Sequence, residues 1–194
     1  MPRATWFCVD IECSGPVPHL YDMISLGAVR VVRAEGGEFT VGEPFYVEIC
    51  PTGPRVDAGA MAVNGLDIDA LRRDGLPMAQ ALERLDKWVA EQLLPGSTPV
   101  FVGHNAPFDW SFVTYAYHAA GMRNPFGYKA LDTKALSMGV LGLHWLDSNK
   151  ETLQDQLDLP AQEPGKVHRA DYDAWYQGLI LARLLERKPA CADS

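Results

Sequence analysis

Long hydrophobic runs are missing from this 194-residue sequence. No stretch of about 18 or more apolar residues occurs, so nothing suggests a membrane span. The opening "MPRATWFCVD" reaches its first acid without an apolar run of signal-peptide length. Cysteine is scarce. Cys8, Cys13, Cys50 and Cys191 form no C-x-x-C pair and no zinc-ligand spacing, which argues against a thiolate metal site. Free thiols in a reducing cytoplasm are expected instead. Basic residues are outnumbered, with 17 Lys and Arg against 25 Asp and Glu, a net charge of −8. That balance disfavours a protein that clings to long nucleic acid through a basic surface. It leaves room for a short strand guided by a few cations, with bound divalent metal offsetting some of the acids. Repeats at solenoid periods and low-complexity tracts are absent as well.

What remains is ordinary for a globular chain. Hydrophobic residues make up 47% and charged residues 22%, in a length suited to one domain with a substantial core. Residues 1–187 are expected to form that domain, and 188–194 a flexible C-terminal tail. Segments 5–10 and 24–33 read as strands. Segment 39–49 reads as a third, with Gly42 and Pro44 marking an edge or a bulge. Residues 50–77, rich in Pro, Gly and Asp, allow short helical pieces at most. Leu82, Leu85, Val89 and Leu93 make a helical stripe over 78–94. "VFVG" at 100–103 is a short buried strand. The helix after it carries Phe108, Phe112, Tyr115 and Ala119 on one side. "YKALDT" reads as a further short strand. Helices are expected over 149–157 and about 169–186, the latter with Trp175, Leu179, Ala182 and Leu185 inward. Strands in succession, then strands alternating with helices, indicate an α/β fold with a mixed sheet.

The stretch "FCVDIECSGP" places two acids in an otherwise buried strand. Side chains at i and i+2 share a strand face, so Asp10 and Glu12 lie side by side while Ile11 points into apolar packing. Two like charges held together call for a proton or a cation between them. In "GHNAPFDW", Asn105 is the expected N-cap of the next helix, Pro107 suits its first turn, and Asp109 lies in that turn. By itself Asp109 is an acid favourable to the helix dipole. In "VHRADYDA", His168 precedes a helix and Asp173 sits about a turn inside it, both unremarkable alone.

Taken in order, "DIECSG", "GHNAPFD" and H-x-x-x-x-D resemble the three motifs of the DnaQ-like, or DEDDh, family of 3'-5' exonucleases. That family includes polymerase proofreading subunits, ribonuclease T and oligoribonucleases. The resemblance runs from about residue 5 to residue 186. "MISLGAVRV" is similar to the family's second strand, "AMAVNGLDIDAL" to its H-G-I-T segment and "ALDTKALS" to its D-T-x-x-L element. It implies a ribonuclease H-like fold, a five-stranded mixed sheet flanked by α-helices. It implies Asp10, Glu12, Asp109 and Asp173 as ligands of two divalent ions, with His168 as general base. Cys13, Ser14, Met61, Asn64, Leu66, His104, Asn105 and Phe108 are the candidate substrate contacts. Met61 and Leu66 would wedge against bases or else be ordinary core.

The chemistry agrees with these residue types. Two metals about 3.5–4 Å apart can acidify a water and hold the leaving oxygen of a phosphodiester. Hard carboxylate oxygens suit magnesium or manganese. An imidazole of ordinary pKa can accept the water's proton near neutral pH. The expected substrate is the 3' end of single-stranded DNA or RNA. An idle DnaQ-like binding domain, or another two-metal phosphoesterase on the same fold, is the alternative. The sequence names neither a polymerase partner nor a homodimer.

Some positions depart from the family pattern. Cys13 and Ser14 stand where two Thr are frequent, Ser25 where many members carry an acid, and Asn64 where many carry His. Trp110 reads as core. His104 reads equally as a substrate contact or a helix-end structural residue. Lys129, Lys134, Lys150, Lys166 and Arg169 are candidates for steering phosphates, with solvated surface charge the plainer account of each.

Overall fold

The computed structural model describes residues 3–187. The expected tail and Cys191 lie outside the described residues, and Cys8, Cys13 and Cys50 are free thiols. In chain order come β1 (Ala4–Cys13), β2 (Met23–Arg33), β3 (Phe39–Val41) and β4 (Phe45–Glu48), then α1 (Ala58–Asn64), α2 (Ile68–Asp74) and α3 (Met78–Gln92). There follow β5 (Thr98–Gly103), α4 (Pro107–Ala119), β6 (Ala130–Asp132), α5 (Thr133–Leu141), a 3-10 turn (Trp145–Asp147), α6 (Lys150–Gln156) and α7 (Ala170–Glu186). No helix among the described residues is long and apolar enough to cross a membrane.

The sheet is mixed. β1 runs antiparallel to β2 and parallel to β5, which in turn runs parallel to β6. Six strands fill five positions, because β3 and β4 both pair with β2. The expected third strand over 39–49 is therefore split. Gly42 and Pro44 fall in the gap, where proline has no N–H to give a ladder.

Strand alternation sorts β1 onto two faces. Phe7, Val9 and Ile11 pack with Leu82, Leu85 and Val89 of α3 and Phe112 and Val113 of α4. Cys8 packs on the opposite face, with Val29 and Val31 of β2 and Leu181 and Ala182 of α7. Asp10 and Glu12 follow Cys8 at period two and so face α7.

Two helical faces differ from expectation. α7 is buried nearly all round rather than along one stripe, because Leu153 and Leu157 of the α6 region pack on Tyr176, Ile180 and Leu184 from its outer side. Trp175, Leu179 and Leu185 are only half-buried. On α4 the buried apolar residues are Phe112, Val113, Ala116 and Tyr117, whereas Tyr115 is 40% exposed and its hydroxyl bonds His19 Nδ1 at 2.7 Å.

Residue 105 is not the N-cap of α4. Ala106 takes that place, and Asn105 adopts a left-handed φ of 67°, a conformation Asn tolerates. Its N–H donates to Asp132 Oδ1 at 3.1 Å. The same oxygen accepts the Lys134 N–H at 2.8 Å, capping α5, a helix the sequence pattern did not announce.

One glycine explains how α7 reaches the acids. Gly27 of β2 is the register partner of Asp10. A Cβ on Gly27 would sit 2.1 Å from the Ala170 carbonyl oxygen, so only glycine lets the start of α7 lie directly on the strand.

Candidate active site

Four carboxylates converge at the carboxyl end of β1. Asp10 and Glu12 come from the strand, Asp109 from the first turn of α4 and Asp173 from the first turn of α7. Between Glu12 and Cys13 the pairing with β2 shifts register, which turns the strand end out of the ladder.

Donors from several elements hold three of these acids. Gln177 Nε2 of α7 donates to Asp10 Oδ1 at 2.6 Å. The Ile11 N–H donates to Asp109 Oδ1 at 3.1 Å. Asp173 accepts twice, from the His168 N–H at 2.8 Å on Oδ2 and from Lys150 Nζ at 2.6 Å on Oδ1. His168 takes a left-handed φ of 64°, which aims its N–H at Asp173 while its ring stays exposed. Donor atoms of Glu12, His168 and Asp173 all lie within 4.8 Å of one another.

The acids disturb one another's protonation. Burial, then Asp109, holds Asp10 well above the usual carboxylate range. Burial, then Asp173 and Asp109, pushes Glu12 up to about 8. Burial pushes Asp109 up to about 7. Burial alone would lower the Lys150 ammonium, but Asp10 and Asp173 outweigh it and the pKa is raised. Lys150, at 20% side-chain exposure, is thus no solvated surface charge but the cation inside the acid cluster. One ammonium against four carboxylates leaves a surplus of negative charge and of hard oxygen donors. That set fits a divalent cation of the magnesium or manganese kind.

These shifts predict a pH-dependent stability. Each raised carboxyl binds its proton more tightly folded than unfolded, where Asp and Glu titrate near about 4. Its contribution to stability is complete below about pH 4 and is lost as pH rises through the folded values towards about 8. In chelator, the melting temperature should fall by on the order of 5 °C between about pH 5.5 and pH 8. Magnesium added near the upper limit should raise it again by binding the native state. Asp109→Asn should flatten the slope in chelator by removing one of the repelling charges. A chelated wild type with a flat profile would show that these acids do not share one site.

Beside Glu12 a cavity of about 340 Å³ is lined by Cys13, Gly15, Ala60, Val63, Asn64 and Phe108 among others. Met61 and Leu66 are half-buried and lie outside this lining, so neither is core, and exposed Val63 takes the position beside the cavity. Asn64 spends its amide on structure. Its Nδ2 donates to the Cys13 carbonyl at 3.2 Å and its Oδ1 accepts the Leu66 N–H at 3.0 Å, tying α1 to the strand end. Ser14 is fully buried; its hydroxyl accepts the Asp22 N–H at 2.9 Å and donates to the Arg55 carbonyl at 3.3 Å. Trp110 packs edge-on against Phe101, with centroids 5.0 Å apart.

His104 stands on the other side of the acids. Burial, then Lys150 and Lys134, pushes its pKa down to about 3, so the ring is neutral. Its Nδ1 meets Thr133 Oγ1 at 2.9 Å, and that hydroxyl donates to the Gly103 carbonyl at 3.2 Å. With the Thr133 proton so committed, His104 donates from Nδ1 and keeps Nε2 as an acceptor.

Sequence reasoning gave Lys150 as a phosphate-steering candidate or surface charge, not as a partner of the acids, and it passed over Gln177 and Val63. Gln177 is 1% exposed on α7, four residues after Asp173, and that helical spacing was the one signal available for it.

Comparison with known proteins places this arrangement. The family model described as a 3'-5' exoribonuclease Rv2179c-like domain matches residues 5–185. The Escherichia coli protein named 3'-5' DNA exonuclease Cap18 is 34% identical over 179 residues, spanning 92% of this chain and 90% of its own. Ribonuclease T of Yersinia enterocolitica is 28% identical over 187 residues, spanning 92% of this chain and 83% of its own. Among solved structures, the nuclease domain of 3'hExo, a DEDDh family member bound to rAMP, has a TM-score of 0.74 at 13% identity over 94% of this chain and 90% of that one.

Proposed function

This chain belongs to the Rv2179c-like 3'-5' exoribonuclease domain family, within the DnaQ-like 3'-5' exonucleases, and on that premise we propose that it trims single-stranded DNA or RNA from the 3' end with His168 as general base. The supporting observation is the meeting of Glu12, His168 and Asp173 donor atoms within 4.8 Å, beside a nucleotide-sized cavity. The family implies divalent metal ions; we propose two, magnesium or manganese, held by Asp10, Glu12, Asp109 and Asp173. Bound there, they supply the Lewis acidity that lets water attack near neutral pH and that offsets charge on the phosphate.

The chain's own residues do the rest. Gln177, the Ile11 N–H and the His168 N–H each occupy one oxygen of Asp10, Asp109 and Asp173 respectively, which fixes the rotation of these carboxylates. The terminal base enters the cavity between Phe108 and Val63, whose apolar surfaces accept any base, while the lining Asp57 and Asn64 each commit a side-chain oxygen to the Ala60 and Leu66 N–H groups respectively. Water attacks the last phosphorus, its proton passes to the exposed His168 ring, and the upstream 3' oxygen leaves. The relatives' names divide between DNA and RNA, and the proposal covers both. Retention of all four acids and the histidine speaks against an idle binding domain. The free thiols fit a cytoplasmic enzyme.

Oligonucleotides labelled at either end, as DNA and as RNA, test the reading. The 5'-labelled strand should shorten as a stepwise ladder, and the 3'-labelled strand should release labelled mononucleotide at once. Activity should vanish in chelator and return with magnesium or manganese. Internal cuts, or ladders proceeding from the 5' end, would replace this proposal with another phosphoesterase activity.

A further inference from the structure

Beyond the acids, the carboxyl edge of the parallel strands continues as a second surface. β1 ends at Glu12 and Cys13, β5 leads to His104, and β6 leads through Asp132 and Thr133 to Lys134. Ligands of open α/β sheets gather along this edge. His104 Nδ1 meets the Thr133 hydroxyl at 2.9 Å, and Lys134 follows Thr133 at the start of α5, so the first turn of that helix lies beside the His104 ring. Lys134 Nζ also stands 4.8 Å from the centroid of the Trp145 ring. Trp145 is 36% exposed and Leu146 73%, on the 3-10 turn that follows α5 and packs against it. Two acids border the pair: Asp132, whose Oδ1 is tied to the Asn105 and Lys134 N–H groups, and Asp147 on the Trp145 turn.

A cation beside an exposed aromatic ring, in a chain of net charge −8, is the pairing that single-stranded nucleic acid recognises. The terminal-nucleotide cavity lies on the α1 side of Glu12, and His104, Lys134 and Trp145 lie on the β6 side. A strand with its last base in that cavity and the phosphate behind it at the acids has the second side open to it for the nucleotides that precede. We propose that nucleotides beyond the one next to the cut are bound there, with a phosphate on Lys134 beside His104 and a base stacked on Trp145. The proposal rests on the exonuclease reading above and adds a subsite to it. Such a subsite is reached only by substrates longer than a dinucleotide, so it governs capture of strands and not the chemical step.

The test compares a dinucleotide with a six-nucleotide single strand under saturating magnesium. Trp145→Ala should raise KM for the longer strand about tenfold, with kcat moving less than twofold and the dinucleotide KM unchanged. Trp145→Phe, which keeps a ring, should recover most of the loss. Lys134→Gln should weaken capture of the longer strand and reduce its salt dependence by about one unit of slope. Equal losses on both substrates would mark a structural defect and overturn the subsite. Wild-type KM and salt slope in all three variants would overturn it too. Should Trp145→Ala fail to fold, Lys134→Gln alone decides by its salt slope. A wild type that degrades neither substrate would instead sink the exonuclease reading, a separate outcome.

Discussion

His168→Ala should lower the single-turnover rate by about 10²–10⁴-fold, the range for loss of a positioned proton acceptor. The geometry separates this residue's two jobs. Its backbone N–H holds Asp173 Oδ2, and alanine keeps that donor; its ring is exposed near Glu12 and Asp173, and alanine removes it. Apparent metal affinity should therefore change far less than when a carboxylate is replaced. His168→Asn is the control for the backbone, because Asn tolerates the left-handed φ of 64° yet has no basic nitrogen. It should be as slow as alanine and at least as stable. If His168 merely shapes the entry to α7, circular dichroism and melting temperature will move while turnover of the folded fraction stays at wild type. That pattern would remove it from the mechanism.

Asp10→Asn should cost about a hundredfold or more in rate while leaving the protein folded, by analogy with loss of a principal electrostatic group. An asparagine oxygen can still accept from Gln177 Nε2, which directs the amide nitrogen to where Asp10 offers its second oxygen. A donor then stands where a ligand is required. Raising magnesium or manganese should recover little of the loss, and calorimetric titration with either metal should show weakened binding independent of turnover. An Asp10→Asn protein that binds metal and turns over as wild type does would remove Asp10 from the ligand set.

What the sequence disclosed follows from short-range periodicity. Strand alternation alone put Asp10 and Glu12 on one face and Ile11 on the other, and the structure keeps that division. The first-turn positions of Asp109 and Asp173 follow from proline and from helix onset. Lys150 stood out only as one of several lysines, because its place beside Asp173 depends on α6 docking against α7, a contact no local pattern encodes. Gln177 was hidden because a polar residue inside an apolar helix pattern looks like a surface position until the helix proves buried on every side. The burial of α7 was missed for the same reason: a stripe predicts one packed face, and this helix has two. Asn105 was misplaced because Asn serves both N-caps and left-handed turns, and the tie to Asp132 that selects the second lies in another strand.

The partnership of β1 with α7 also sets when activity can begin. Gln177 and Asp10 are 167 residues apart in the chain, and their hydrogen bond is among the most distant in the protein. On a ribosome, β1 emerges with Asp10 and Glu12 before any other described element, whereas His168, Asp173 and Gln177 follow every other element of the fold. Until α7 settles onto Gly27, a nascent chain carries three of the four acids, and Asp173 is missing from the cluster. An enzyme that shortens nucleic acid is made on an RNA template, and this topology leaves its acid cluster incomplete until the last helix of the described fold has docked.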